Sequence, residues 1–62
     1  MLQTMFGRLF YADGRVHVGN IKHDEGISTR EGLGILTYPD GTKEKGMWRN
    51  DVLIEEMPDL EY

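Results

Sequence analysis

His17, His23, Asp24 and Glu25 bring imidazole and carboxylate groups together within nine residues, donors of the type that hold zinc or another divalent ion. His17 is expected mid-strand and the other three in or beside a loop, so the cluster reads as a solvated turn rather than a metal centre. Glu44 is the second candidate. Strand alternation points it inward beside Tyr38 and Trp48, where apolar surroundings raise a carboxyl pKa and suit it to donating a proton. His17 holds the equivalent place 27 positions earlier, so the ordinary readings are a His17–Glu44 contact or an edge position open to water. Lys43, Lys45 and Arg49, with Lys22, form a modest basic strip suited to acidic lipid headgroups, although Glu44 interrupts it and exposed strand lysines also guard sheet edges. Tyr11, Tyr38 and Trp48 could stack a ligand, but their repeated positions assign them to holding strands together. No nucleophile, base and orienting group share a pattern, so the expectation is a protein without catalysis, cofactor or metal.

The elements that position these residues are bounded by size. With 62 residues the chain is one small domain at most, burying only about 60% of the surface its unfolded form exposes. Scaffolds of this size usually need disulfides, a metal or a partner. No cysteine is present, which excludes disulfides, thiolate zinc sites and a cysteine nucleophile, and leaves association as the expected source of stability.

Charge is unevenly placed. Residues 1–54 carry all seven bases and seven acids, so the net charge of −4 resides in Glu55, Glu56, Asp59 and Glu61. Nucleic-acid binding draws on clustered Lys and Arg in excess, and no such cluster exists, so no nucleic-acid partner is expected. A polybasic membrane signal is missing for the same reason. No apolar run approaches the roughly 20 residues that cross a bilayer. Met1 to Phe10 lacks the basic start and apolar core of a secretory signal, and Leu2 after Met1 removes the myristoylation motif. The default expectation is an intracellular location, with an organellar one left open.

A shift of 27 positions brings two segments into register. Gly7 falls on Gly34, Leu9 on Leu36, Tyr11 on Tyr38, Asp13 on Asp40, Gly14 on Gly41, Gly19 on Gly46 and Asp24 on Asp51. Each copy centres on a turn tetrapeptide, Tyr11-Ala12-Asp13-Gly14 or Tyr38-Pro39-Asp40-Gly41, in which Asp bonds its own backbone and Gly accepts positive φ. An Asp-Gly between alternating runs is a hairpin signal, which predicts strands at about 4–11, 15–22, 33–38 and 42–49. The expected fold is all-β: two consecutive antiparallel hairpins in a small twisted open sheet, with an extended C-terminal tail. A module over 1–54, with an insert loop at about 22–31, precedes an acidic tail over 55–62.

Alternation divides the strands into two faces. The first holds Gly7, Leu9, Tyr11, His17, Gly19 and Ile21, then Gly34, Leu36, Tyr38, Glu44, Gly46 and Trp48, setting rings beside bare backbone. The second holds Phe6, Arg8, Phe10, Val16, Val18 and Asn20, then Leu33, Ile35, Thr37, Lys43, Lys45 and Met47. Both faces of the first hairpin are therefore apolar, and something must cover the second one.

The second copy, from Glu31 through Gly41 to Asn50, resembles a MORN repeat, whose pattern is Gly-x-Gly-x-x-x-Tyr-x-x-Gly followed by Tyr-x-Gly-x-Trp. Gly32, Gly34, Tyr38, Gly41, Gly46 and Trp48 match it; the first copy matches at Gly7, Tyr11, Gly14 and Gly19, with Met5 in the leading glycine position. The departures are His17 and Glu44 at the second tyrosine, Ile21 at the tryptophan, and Asp24 and Asp51 in place of glycine. Spacing between copies is longer than in the family, which predicts that residues within Asn20 to Glu31 bulge out. The resemblance implies an elongated sheet of hairpins used in scaffolds and adaptors, some ciliary or cytoskeletal, with any chemistry in a separate domain.

Two copies fall short of the three or more that repeat arrays generally need, and open edges invite another chain. The expected function is a non-catalytic accessory subunit docking onto other proteins of a larger assembly. Phe6, Phe10, Val16 and Val18 would bury against the partner, with Ile35 and Met47 extending the patch, and Leu60 and Tyr62 inserting from the tail. The alternative is a peripheral lipid-binding module using Lys43, Lys45 and Arg49.

Overall fold

The structure, a computed structural model describing residues 3–62, has five strands where the sequence predicted four. β1 (Gln3–Phe10), β2 (Val16–Asp24), β3 (Ile27–Thr37), β4 (Lys43–Arg49) and β5 (Val52–Glu56) pair antiparallel with their neighbours in chain order. The result is one open sheet, with no helix among the described residues. Met1 and Leu2, on which the myristoylation reading rests, lie outside the described residues.

The internal repeat reappears as backbone geometry. Tyr11 N–H donates to the Arg15 carbonyl at 2.9 Å, and Gly14 N–H donates to the Tyr11 carbonyl at 3.0 Å. Tyr38 N–H and Gly41 N–H make the same bonds to Thr42 and Tyr38, at 2.8 and 2.9 Å. Asp13 Oδ1 accepts from Arg15 N–H at 3.1 Å, as Asp40 Oδ1 accepts from Thr42 N–H at 3.0 Å. These backbone donors hold both carboxyls below the usual aspartate range.

The strands differ from expectation between the hairpins. No loop bulges out over 22–31: Lys22, His23 and Asp24 continue β2, and Ile27 to Glu31 open β3. Only Glu25 and Gly26 turn the chain, with φ of 51° and 80°, the doubly left-handed pattern of a two-residue hairpin turn. The extra length is absorbed by strand pairing and by a bulge. Ile21 pairs with Arg30 and Gly19 with Gly34, so Glu31, Gly32 and Leu33 stand opposite Asn20 alone. A second two-residue turn, Asn50-Asp51 with φ of 48° and 69°, leads into β5. That strand takes in Glu55 and Glu56, so the tail beyond the sheet begins at Met57 rather than at residue 55.

The core lies on the first face. Ile21, Leu36, Trp48 and His17 are buried there, and Arg30 joins them from β3. With no second layer among the described residues to cover the face, these groups bury against one another and against bare backbone. Gly19 and Gly46, one repeat apart, have φ of 148° and 154°. A Cβ on Gly19 would lie 2.4 Å from the Leu33 carbonyl oxygen, and one on Gly46 would lie 1.9 Å from the Glu55 carbonyl oxygen. Both obstacles are backbone of the adjoining strand, so neither can rotate away.

Gly46→Ala is expected to cost at least about 2 kcal/mol, combining strain at that φ with loss of pairing to β5. Gly41→Ala meets no neighbouring atom within 4 Å and is expected to cost less. Urea denaturation followed by the emission of Trp48 compares them.

Candidate functional site

The residues singled out for chemistry are built into the fold. His17 is wholly buried on β2. Its Nε2–H donates to the Asn20 carbonyl at 3.2 Å, a bond that only a protonated nitrogen can make to a carbonyl. The ring lies over Gly34, where a Cβ would come within 2.2 Å of Cε1, and meets the Trp48 ring edge-on at 6.0 Å between centroids. Trp48 in turn donates its indole N–H to the Gly34 carbonyl at 3.0 Å. Burial pushes the His17 pKa down, the Asn20 bond opposes the shift, and the nearby Arg30 guanidinium adds to it. The imidazole is thus neutral at neutral pH and shielded from solvent.

His23 has its Nδ1 2.9 Å from Ser28 Oγ across the β2–β3 hairpin. It stands six residues along the strand from His17, roughly 20 Å at the rise of an extended chain. The four ligand-type residues therefore do not converge, and the described residues contain no group of three or more His, Cys, Asp or Glu able to share a metal. Glu44 pairs across from Leu36 and accepts a hydrogen bond from the Tyr38 hydroxyl, a bond that raises the phenol pKa. It does not meet His17, whose partner is Asn20.

Arg30 was not singled out by the sequence, because it falls in the segment read as a loop. It is the second buried polar residue of the first face. Its guanidinium carbon sits 4.7 Å from the Trp48 ring centroid and 5.4 Å from that of Tyr11, while Arg15 covers Tyr11 at 4.6 Å. Asp51 fastens it: Arg30 N–H donates to Asp51 Oδ1 at 2.7 Å, Nη2–H donates to the Asp51 carbonyl at 3.1 Å, and Nε lies 3.3 Å from Oδ1. The available signal was Asp51 itself, repeated from Asp24, but nothing in the spacing tied it to Arg30. Tyr11, Trp48, Arg30 and His17 thus form one layer of rings and cations that holds the sheet.

The second face differs. Val16 and Val18 are half-buried and Ile35 is buried, whereas Phe6 and Phe10 on β1 remain 59% and 75% exposed. Residues 57–62 return across this face. Met57 N–H donates to the Lys45 carbonyl at 2.8 Å, and Leu60 N–H donates to the Met57 carbonyl at 3.0 Å, closing a turn through Pro58 and Asp59. Leu60 and Tyr62 then border Ile35, Lys43 and Lys45, and the Tyr62 ring meets Phe6 edge-on at 5.0 Å. The tail is thus placed on the chain's own sheet. Met47, half-buried, lines an open groove with Phe6, Asn20 and Ile54 beyond the tail's reach.

The basic strip is partly engaged. Lys45 Nζ reaches the Pro58 carbonyl at 3.5 Å, and Lys22 Nζ bonds Asn50 Oδ1 at 2.8 Å and lies 3.5 Å from Glu31. Lys43 borders the tail, and Arg49 is exposed at the far end of β4. No family model matches the chain, and no curated protein or solved structure matches it significantly.

His17 sets a pH dependence whose sign follows from its depressed pKa. Between that pKa and the unfolded value of about 6.5, the unfolded chain binds a proton that the native chain does not. Stability is therefore full above about 6.5 and falls with pH below it, by at most about 1.4 kcal/mol per pH unit. Asp13 and Asp40, with lowered pKa values, lose their contribution only in stronger acid. Thermal melts between pH 7.5 and 5 should show a declining midpoint in the wild type and a shallower slope in His17→Gln.

Proposed function

We propose that this protein is a non-catalytic interaction subunit that docks onto a larger protein assembly through β1 and the second sheet face. The observation that supports this most directly is the pair of exposed phenyl rings, Phe6 and Phe10, on a strand whose outer edge is unpaired among the described residues. An open edge offers backbone donors and acceptors to another chain, and adjacent aromatic side chains offer the apolar contact that makes such pairing specific. The polar groups that could have served catalysis are engaged in the fold: His17 with Asn20, Glu44 with Tyr38, Arg30 with Asp51. The MORN-like pattern of the two repeats supports a scaffold or adaptor role, in a ciliary or cytoskeletal assembly of the kind that resemblance implies.

Phe10→Asp tests the reading. Because Phe10 is largely exposed, the substitution is expected to change stability by no more than about 0.5 kcal/mol. Affinity purification of tagged wild type from its own cells should yield a fixed set of proteins that survives a high-salt wash. Phe10→Asp should lose that set while keeping its far-ultraviolet circular dichroism. The same set retained by the variant would contradict the proposal.

A further inference from the structure

The second-face groove already has an occupant, and its chemistry suggests what else would fit. Leu60 and Tyr62 alternate with Asp59 and Glu61, and in an extended chain residues two apart point to the same side. The Tyr62 ring meets Phe6, and Leu60, Glu61 and Tyr62 line one pocket with Ile35, Lys43 and Lys45. Arg8 stands on the opposite wall, beside Val18 and Tyr62. A floor of aliphatic and aromatic side chains with a basic rim thus receives an acidic strip bearing apolar residues at every second position.

The hold on this strip is slight. Tyr62 remains 58% exposed, and the segment is anchored by the Met57 and Leu60 backbone bonds and by the long Lys45 contact. A second open stretch shares Phe6 with the groove and is lined by Asn20, Glu31, Met47, Arg49 and Ile54, and no described tail residue lines it. A longer segment of the same character would fill both stretches and gain contacts that the tail cannot make.

We propose that this groove recognises an extended acidic segment of a partner protein with apolar or aromatic residues at alternate positions, and that residues 57–62 are its resident occupant, displaced when the partner binds. The proposal rests on the docking reading and names the partner's chemistry. An intramolecular occupant lowers the apparent affinity for a competitor by the fraction of time the groove stands open, so releasing the tail strengthens binding without adding a contact.

The test uses the full chain and a fluorescein-labelled peptide with the sequence of residues 55–62, read by anisotropy. Leu60→Ser/Tyr62→Ser frees the tail and leaves Ile21, Leu36 and Trp48 untouched, with Trp48 emission reporting that the fold persists. The double variant is expected to bind the peptide at least tenfold more tightly than wild type. Adding Lys43→Glu and Lys45→Glu should abolish that binding. Equal affinities, or no binding by either protein, would overturn the proposal. So would a wild-type mass that doubles with concentration and returns to monomer in the double variant, since a second copy's tail would then be the occupant. Phe10 does not line the groove, so failure here with Phe10→Asp still blocking assembly rejects the groove alone. The reverse pair of results rejects the docking reading alone.

Discussion

A single sheet with no second layer has to bury its large side chains against its own backbone, and Gly34 is where this happens. The His17 ring occupies the space a Cβ would fill, Trp48 donates to the Gly34 carbonyl, and the two rings meet edge-on. Ile21 and Leu36 are buried on the same face, and the Arg30 guanidinium covers the Trp48 ring. Gly19 and Gly46 let neighbouring strands approach more closely than any side chain would allow, which draws the rings of successive repeats into one layer. The first face spends its polar residues on holding itself together, His17 on Asn20 and Arg30 on Asp51.

The parts of this arrangement legible in the sequence are those governed by local rules. The Asp-Gly turns recur because an aspartate carboxylate and a glycine suffice to close them, and the two faces follow from strict alternation on either side. Placement of His17, Trp48 and Leu36 beside glycines came from the same alternation. Length between copies misled, because ten residues without a strong turn dipeptide read as a loop. Glu25-Gly26 nevertheless adopts a tight left-handed turn, and a bulge opposite Asn20 preserves which side Arg30 faces. The burial of Arg30 depends on Asp51, 21 residues away, and on rings from β1–β2 and β4, so no local pattern announces it.

The tail shows the same division between local and distant causes. Its acids and its Pro58 are visible in sequence, as is the alternation of Leu60 and Tyr62. Their destination is not, because it is set by Phe6 and Ile35 far earlier in the chain. The sheet face that looked in need of a cover is partly supplied with one from within. Phe10 stays largely exposed on β1, whose outer edge is unpaired among the described residues, while the tail covers part of the second face.

The central claim, that ring-over-glycine packing at Gly34 holds the sheet and fixes His17 as a structural residue, is tested most directly by a double-mutant cycle. Urea denaturation would be followed for wild type, Gly34→Ala, His17→Ala and the double variant. The account predicts strong non-additivity: Gly34→Ala is severely destabilising alone, and much of that cost disappears once the His17 ring is gone. Additive costs would show that the added methyl group and the imidazole do not compete for the same space, and would contradict it.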